Sequence, residues 1–265
     1  DGLIVLGQHA VSGCASLESI SLPSSLRRLG MGALSVNTKL KKIRIPEGIT
    51  TLEYGVFNGN TALVDVGLPD GLRSIGWRSF AGCTALQDVE IPDTVHTIGR
   101  EAFGRCTALG TIELPNAVTN LGEFAFDRCT RLAKLEGGRG LRGIGKGAFR
   151  DCAAMTEFRI PNGMRRLGEE TFKGCRSLRE IIVSDSLSEI GEEAFRDCTA
   201  LTRFAIPAGV TKIERLVFSG CTGLQNFAVA AGSTAFRSID GVLFSADGTT
   251  LILYPVARSG AYTMP

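Results

Sequence analysis

Eight cysteines and two histidines are the side chains of this 265-residue chain best suited to bind a soft metal, form disulfides or act as nucleophile and base. The cysteines fall at 14, 83, 106, 129, 152, 175, 198 and 221. The last seven recur every 23 residues, and Cys14 lies three such periods before Cys83, with Asn37 and Asn60 in the two places between. All ten positions therefore share one column of a repeat, and nothing resembles C-x-x-C. Stacked rungs would set neighbouring thiols about 5 Å apart, inside disulfide range, yet Cys14 has no cysteine neighbour and seven in a row cannot all pair. The favoured reading is a column of free, buried thiols that serve as small apolar core groups. Disulfides and a metal site are the alternatives. Asn37 and Asn60 fit the same column by satisfying turn carbonyls. His9 and His96 stand in different columns about four rungs, or roughly 20 Å, apart, so they cannot share a metal or a proton. There is no G-x-S-x-G, phosphate-cradling glycine loop or H-E-x-x-H, and no carboxylate pair whose surroundings would split its pKa values. The expectation is no catalytic apparatus and no cofactor.

The elements that would position these residues follow from the same period. Three residues after each column position comes Leu or Met, as at Leu17, Leu86 and Met155. Six and eight after come aliphatic or aromatic residues, then usually Pro, as at Pro23, Pro46, Pro92 and Pro207. The rung reads C-x-x-L-x-x-I-x-I-P-x-x-V-x-x-I-G-x-x-A-F-x-x. The I-x-I alternation predicts a short strand with both residues inward. Pro ends it because it lacks the ladder's N–H. A second extended segment runs to the Gly, and the A-F-x-x-C-x-x-L spacing suits a single helical or 3₁₀ turn. No rung can bury its own apolar side, so the rungs must stack. The 44% hydrophobic fraction supports such a core, built mostly from aliphatic residues because only 7% is aromatic.

Leu86-Gln-Asp-Val-Glu-Ile-Pro92, Val95-His-Thr-Ile-Gly99 and Glu101-Ala-Phe-Gly-Arg-Cys106 resemble the BspA-like, or Treponema-type, leucine-rich repeat family of bacterial surface proteins, also expanded in some parasitic protists. The resemblance covers nearly the whole chain. It implies a right-handed α/β-type repeat solenoid with short parallel strands, secretion or display on a cell surface, and adhesion to host matrix proteins or to other cells. Three departures stand out. Gly137-Gly138 replaces an aliphatic-Pro pair, Ser184 replaces Pro, and Glu53 and Glu214 replace the turn Gly. The period breaks after Val229, so the solenoid is expected over 1–231. A β-hairpin insertion around Asp247-Gly248 is expected over 232–258, and a truncated further repeat over 259–265. Both ends falling within a rung suggests a fragment of a longer protein.

Function should then lie in exposed columns. Seventeen residues after the column Cys or Asn come Met31, Tyr54, Trp77 and Arg100 in consecutive rungs, with Phe124 one column over in the next. Stacking would align them as a stripe of the residue types enriched at interface cores. The alternative is that these rings merely pack over the rung edge. A second candidate is an acidic stripe of Asp65, Asp88, Glu90, Glu113, Glu136 and Glu157, flanked by Lys42, Arg44, Arg159 and Arg203. A patchy basic set, including Arg27, Arg73 and Arg165, lies near the Gly turn. A solvated face is the simpler reading of all these charges. A formal net charge of +2 and the lack of aromatic interleaving among the basic residues disfavour nucleic acid. No apolar run approaches the length of a transmembrane helix. The residues thus point to a non-catalytic scaffold that binds another protein, either a host or cell-surface protein or another domain of the same assembly. A structural spacer and a glycan-binding module are the other readings.

Overall fold

The computed structural model describes residues 2–265, and two parallel ladders run along it. The longer segments include Lys42–Arg44, Asp65–Gly67, Thr111–Leu114, Lys134–Gly137, Glu157–Arg159, Glu180–Ile182, Arg203–Ile206 and Asn226–Val229. Their register is fixed by the period: Ile43 faces Val66, Ile112 faces Leu135, and Phe204 faces Phe227. A one-residue slip would turn each inward side chain to water. These segments pair two by two, and residues 88–91 lie outside the ladder. Two-residue segments build the second ladder, five of them in an unbroken run from Thr51–Leu52 to Gly143–Ile144.

Between the ladders lies the core. Phe57, Phe80, Phe103, Phe126, Phe149, Phe172, Phe195 and Phe218 stack ring on ring at 5.3–5.7 Å, with interplanar angles of 10° or less. Phe158, Phe204 and Phe227 lean against this stack from the long ladder. Each such pair adds about 0.5–1.5 kcal/mol beyond the burial of its area.

The expected helical turn is absent, and the α/β label fails with it: among the described residues there is no helix. Two columns of left-handed backbone prevent one. The first runs through Gly55, Arg78 (φ 56°), Glu101 (φ 50°) and Phe124 (φ 57°), and the second through Gly59, Gly82, Arg105 (φ 63°) and Arg128 (φ 58°). Four residues apart, they close successive tight turns. Alternate N–H groups then bond locally and across rungs. Ser79, Ala81 and Cys83 donate three residues back, whereas Arg78, Phe80 and Gly82 donate to the carbonyls of Arg100, Ala102 and Gly104 at 2.8–3.0 Å. A helix would need all of them within the segment. Left-handed backbone at a non-glycine residue costs about 1–2 kcal/mol, and the cross-rung bonds hold it in place.

The insertion expected as one hairpin is a three-stranded antiparallel sheet of Phe236–Ile239, Val242–Ser245 and Leu251–Leu253. Its first turn, Asp240-Gly241, has positive φ at both residues (49° and 78°), as a type I′ turn requires. At its second, the Asp247 carboxylate accepts the Ser245 hydroxyl and the Thr249 N–H, which holds its pKa down at about 2. The sheet packs on the last full rung: Phe227 N–H donates to the Gly241 carbonyl, and Val242, Leu243 and Phe244 are buried.

Candidate binding surface

The cysteine column is structural. Seven of the eight thiols are buried and all eight are free, with Cys14 exposed at the first rung. Each buried Sγ–H donates to the carbonyl of a Phe in the preceding rung, Cys83 to Phe57 at 3.2 Å and Cys221 to Phe195 at 3.0 Å. Burial pushes the Cys83 thiol up to about 12, partly offset by the Asn60 N–H facing the sulfur. The asparagines do the same work with stronger groups. Asn60 Oδ1 accepts the Asn37 N–H at 2.7 Å and its Nδ2 donates to the Leu34 carbonyl, while Asn37 Oδ1 accepts the Cys14 N–H. His9 and His96 are both exposed and belong to different columns.

The aromatic residues singled out by spacing are brought together. The Tyr54 and Trp77 rings meet edge to face at 5.3 Å, and the Arg100 guanidinium lies 5.4 Å over Trp77. Met31 extends the row toward the first rung, where the Gln8 side-chain amide approaches its sulfur at 4.0 Å. The main chain beneath is fixed rung to rung: Gly32, Gly55 and Arg78 donate their N–H groups to the Tyr54, Trp77 and Arg100 carbonyls. Met31, Tyr54 and Trp77 stay 37–46% exposed despite these contacts and line up as a ridge along the turn edge. Phe124 differs. It is half-buried under Arg150 at 4.6 Å, with Arg100 at 5.9 Å on the ridge side. It closes the ridge and adds little exposed area. Spacing alone missed Val36, which is 46% exposed on the same turn edge. The signal was available, since Val36 stands where Gly59 and Gly82 stand in the next rungs.

Past Arg100 the same column turns ionic. Glu123 lies 3.4 Å from Arg100, Lys146 pairs with Glu169 at 2.9 Å, and Glu192 pairs with Arg215 at 2.9 Å. On nearby columns of the same edge, Arg150 bridges Asp127 at 2.7 Å and Glu170 at 3.2 Å, and Glu193 holds Lys173 and Arg196. The Lys173 ammonium and Arg196 guanidinium hold the Glu193 carboxyl below its ordinary pKa, with hydrogen bonding from Lys173 the largest cause.

The acidic residues line the solvent face of the long ladder, but two are neutralised. Asp65 is chelated by Arg44 at 2.6 and 2.9 Å, and Glu136 pairs with Lys134 at 2.7 Å. Asp88, Glu90 and Glu113 have no ion-pair partner among the described residues and edge an open groove of about 970 Å³. Glu157 sits beyond it, facing Lys134 across the ladder.

The model of the BspA type leucine rich repeat region matches residues 1–110, 55–165, 96–225 and 142–249. Among solved structures, a leucine-rich repeat protein from Bacteroides ovatus is 31% identical, with 86% of this chain and 65% of that one aligned at a TM-score of 0.71. A leucine-rich cell surface protein from Faecalibacterium prausnitzii is 27% identical over 83% of this chain and 55% of that one, at a TM-score of 0.63. The pneumococcal vaccine antigen PcpA, 21% identical over 85% of this chain and 49% of its own, shares the fold at a TM-score of 0.55. This chain thus spans less than two thirds of each of these proteins. No curated protein matches it significantly in sequence.

Proposed function

The chain belongs to the BspA-type leucine-rich repeat family, and from that premise we propose that it is a non-catalytic binding module, exported to a cell surface, whose contact site is the ridge Met31–Tyr54–Trp77–Arg100. The observation that carries this is the ridge itself. Large apolar side chains stay half exposed on a main chain that the cross-rung bonds hold rigid, so little ordering remains to be done on binding. Aromatic residues and Arg gathered at one place are the composition of an interface hot spot. A protein partner fits better than a glycan. With the Arg100 guanidinium over the Trp77 ring and Tyr54 perpendicular to it, little flat ring area is left for stacking on a sugar. Surface display is supported by the cell-surface description of the Faecalibacterium relative. No helix among the described residues is long and apolar enough to cross a membrane. A spacer role is the reading left if the ridge proves inert.

The test is affinity capture from matrix and cell-surface protein extracts, comparing the chain with a Tyr54→Ala/Trp77→Ala variant of equal melting temperature. A partner held by the first and lost by the second supports the ridge. Equal capture by both moves binding to the charged ladder face, and capture by neither favours the spacer.

A further inference from the structure

Two Asn-Gly dipeptides occur in the chain, Asn58-Gly59 on the turn edge and Asn162-Gly163 just after a long strand. Such a pair carries a latent reaction between its own groups. The glycine backbone nitrogen can attack the Asn side-chain amide carbon, because glycine has no Cβ to restrict the approach. Whether it does so in the folded chain depends on how firmly the joining peptide is held, and there the two sites differ.

At Asn58-Gly59 the peptide is clamped from both sides by main chain. The Asn58 carbonyl accepts the Val36 N–H at 2.8 Å, and the Gly59 N–H donates to the Ala81 carbonyl at 2.8 Å. Both residues are half-buried. For Gly59 to react, a cross-rung backbone bond must open, which is a local unfolding step.

At Asn162-Gly163 both residues are exposed, and only side chains hold the peptide. The Gly163 N–H donates to Ser186 Oγ at 2.8 Å, and the Asn162 carbonyl accepts Arg142 Nη1 at 3.2 Å. Ser184 Oγ at 2.7 Å and the Met164 carbonyl at 3.2 Å offer the Ser186 hydroxyl other partners. Releasing Gly163 therefore takes a side-chain rotation and leaves the rung closed. The Asn162 amide is free as well. Two rungs earlier in its column, Asn116 Oδ1 accepts the Arg139 N–H at 3.1 Å, whereas the Asn162 side chain makes no hydrogen bond among the described residues.

We propose that Asn162 is a site of spontaneous deamidation in the folded chain and that Asn58 is protected. The Gly163 nitrogen, once its proton has passed to water, bonds to Asn162 Cγ; the Cγ–Nδ2 bond breaks and ammonia leaves. Water then opens the resulting five-membered imide at one of its two carbonyls. Opening at Cγ gives aspartate, and opening at the main-chain carbonyl gives an isoaspartyl link with one extra backbone carbon. In the isoaspartyl form the carbonyl that Arg142 now holds becomes the carboxylate, so a neutral contact turns into an ion pair.

The test is to age the chain in warm, mildly alkaline buffer and follow both sites by peptide mapping and mass spectrometry, beside the same chain unfolded in urea. In the folded chain Asn162 should convert at least about tenfold faster than Asn58, the weight of roughly one backbone hydrogen bond plus local opening. In urea the two should react at comparable rates. Ser186→Ala, at unchanged melting temperature, frees the Gly163 N–H and should speed Asn162 about threefold or more. The proposal is overturned if Asn162 stays intact in the folded chain while it reacts in urea, if both sites convert equally in the folded chain, or if Ser186→Ala leaves the Asn162 rate unchanged.

Discussion

The turn edge of this solenoid is two surfaces laid over one core. In the first rungs it carries Met31, Val36, Tyr54 and Trp77, half exposed and set among glycines such as Gly32, Gly55, Gly59 and Gly82. From Glu101 onward the same columns carry Arg128, Lys146, Asp151 and Glu169, joined in ion pairs. Underneath, the phenylalanine stack and the turn hydrogen bonds continue unchanged through both. The repeat thus fixes backbone and core independently of its outward side chains, which leaves those side chains free to differ along the length. Exposed ion pairs contribute about 0–1 kcal/mol each, so the charged half is explained by solubility and local order. The aromatic half lowers solubility and adds little packing, so a partner is its natural explanation.

The column beneath the turn edge also differs between the halves, and that difference predicts the largest effect. Asn37 and Asn60 do not titrate, whereas Cys83 to Cys221 do. Burial raises the folded pKa of these thiols, to about 12 for Cys83 and Cys221, from an unfolded value near 8.5. A raised folded pKa gives stability that is complete below about pH 8.5 and is lost as pH rises toward the folded value. The loss is about 1 kcal/mol per thiol per pH unit. Hydrogen exchange near pH 10 should therefore show the thiol-bearing rungs opening before the rungs of Asn37 and Asn60. Uniform opening would mean that the thiol column does not set the alkaline stability of its rungs.

Next in size, Phe80→Ala and Phe172→Ala should each cost about 3–5 kcal/mol in urea unfolding. One sits beneath the ridge and the other beneath the ion pairs, and near-equal values are expected because the core is shared. A gap of more than about 2 kcal/mol would mean that the outer side chains support one half. Smaller again, Asn60→Ala orphans the Asn37 N–H and takes a donor from the Leu34 carbonyl, at about 2 kcal/mol. Asn60→Cys should recover part of this, since cysteine fills that place in seven later rungs. The smallest effect is on stability at the ridge itself. Trp77→Ala should cost about 1 kcal/mol or less, which separates a binding role from a packing one.

Most of this architecture was legible because a fixed period turns a sequence into columns. The inward Ile and Leu positions, the thiol column and the Met31–Trp77 alignment all follow from counting. The turn segment reads as helical because A-F-x-x-C-x-x-L places its apolar residues as a helix does. What decides against a helix is the left-handed backbone at Arg78, Glu101 and Phe124, residue types that do not announce it. The first hairpin turn, Asp240-Gly241, carries the same Asp-Gly signal as Asp247-Gly248. The neutralisation of Asp65 and Glu136 depends on side-chain reach that spacing does not give.

Trp77 is the only tryptophan in the chain, so its fluorescence reports on the ridge without labelling. Titrating the chain with a partner obtained by capture, while following Trp77 emission and acrylamide quenching beside an independent binding signal, tests the ridge directly. If the ridge is the contact site, a blue shift and loss of quenching saturate together with binding. Saturable binding that leaves Trp77 emission and quenching unchanged would contradict it.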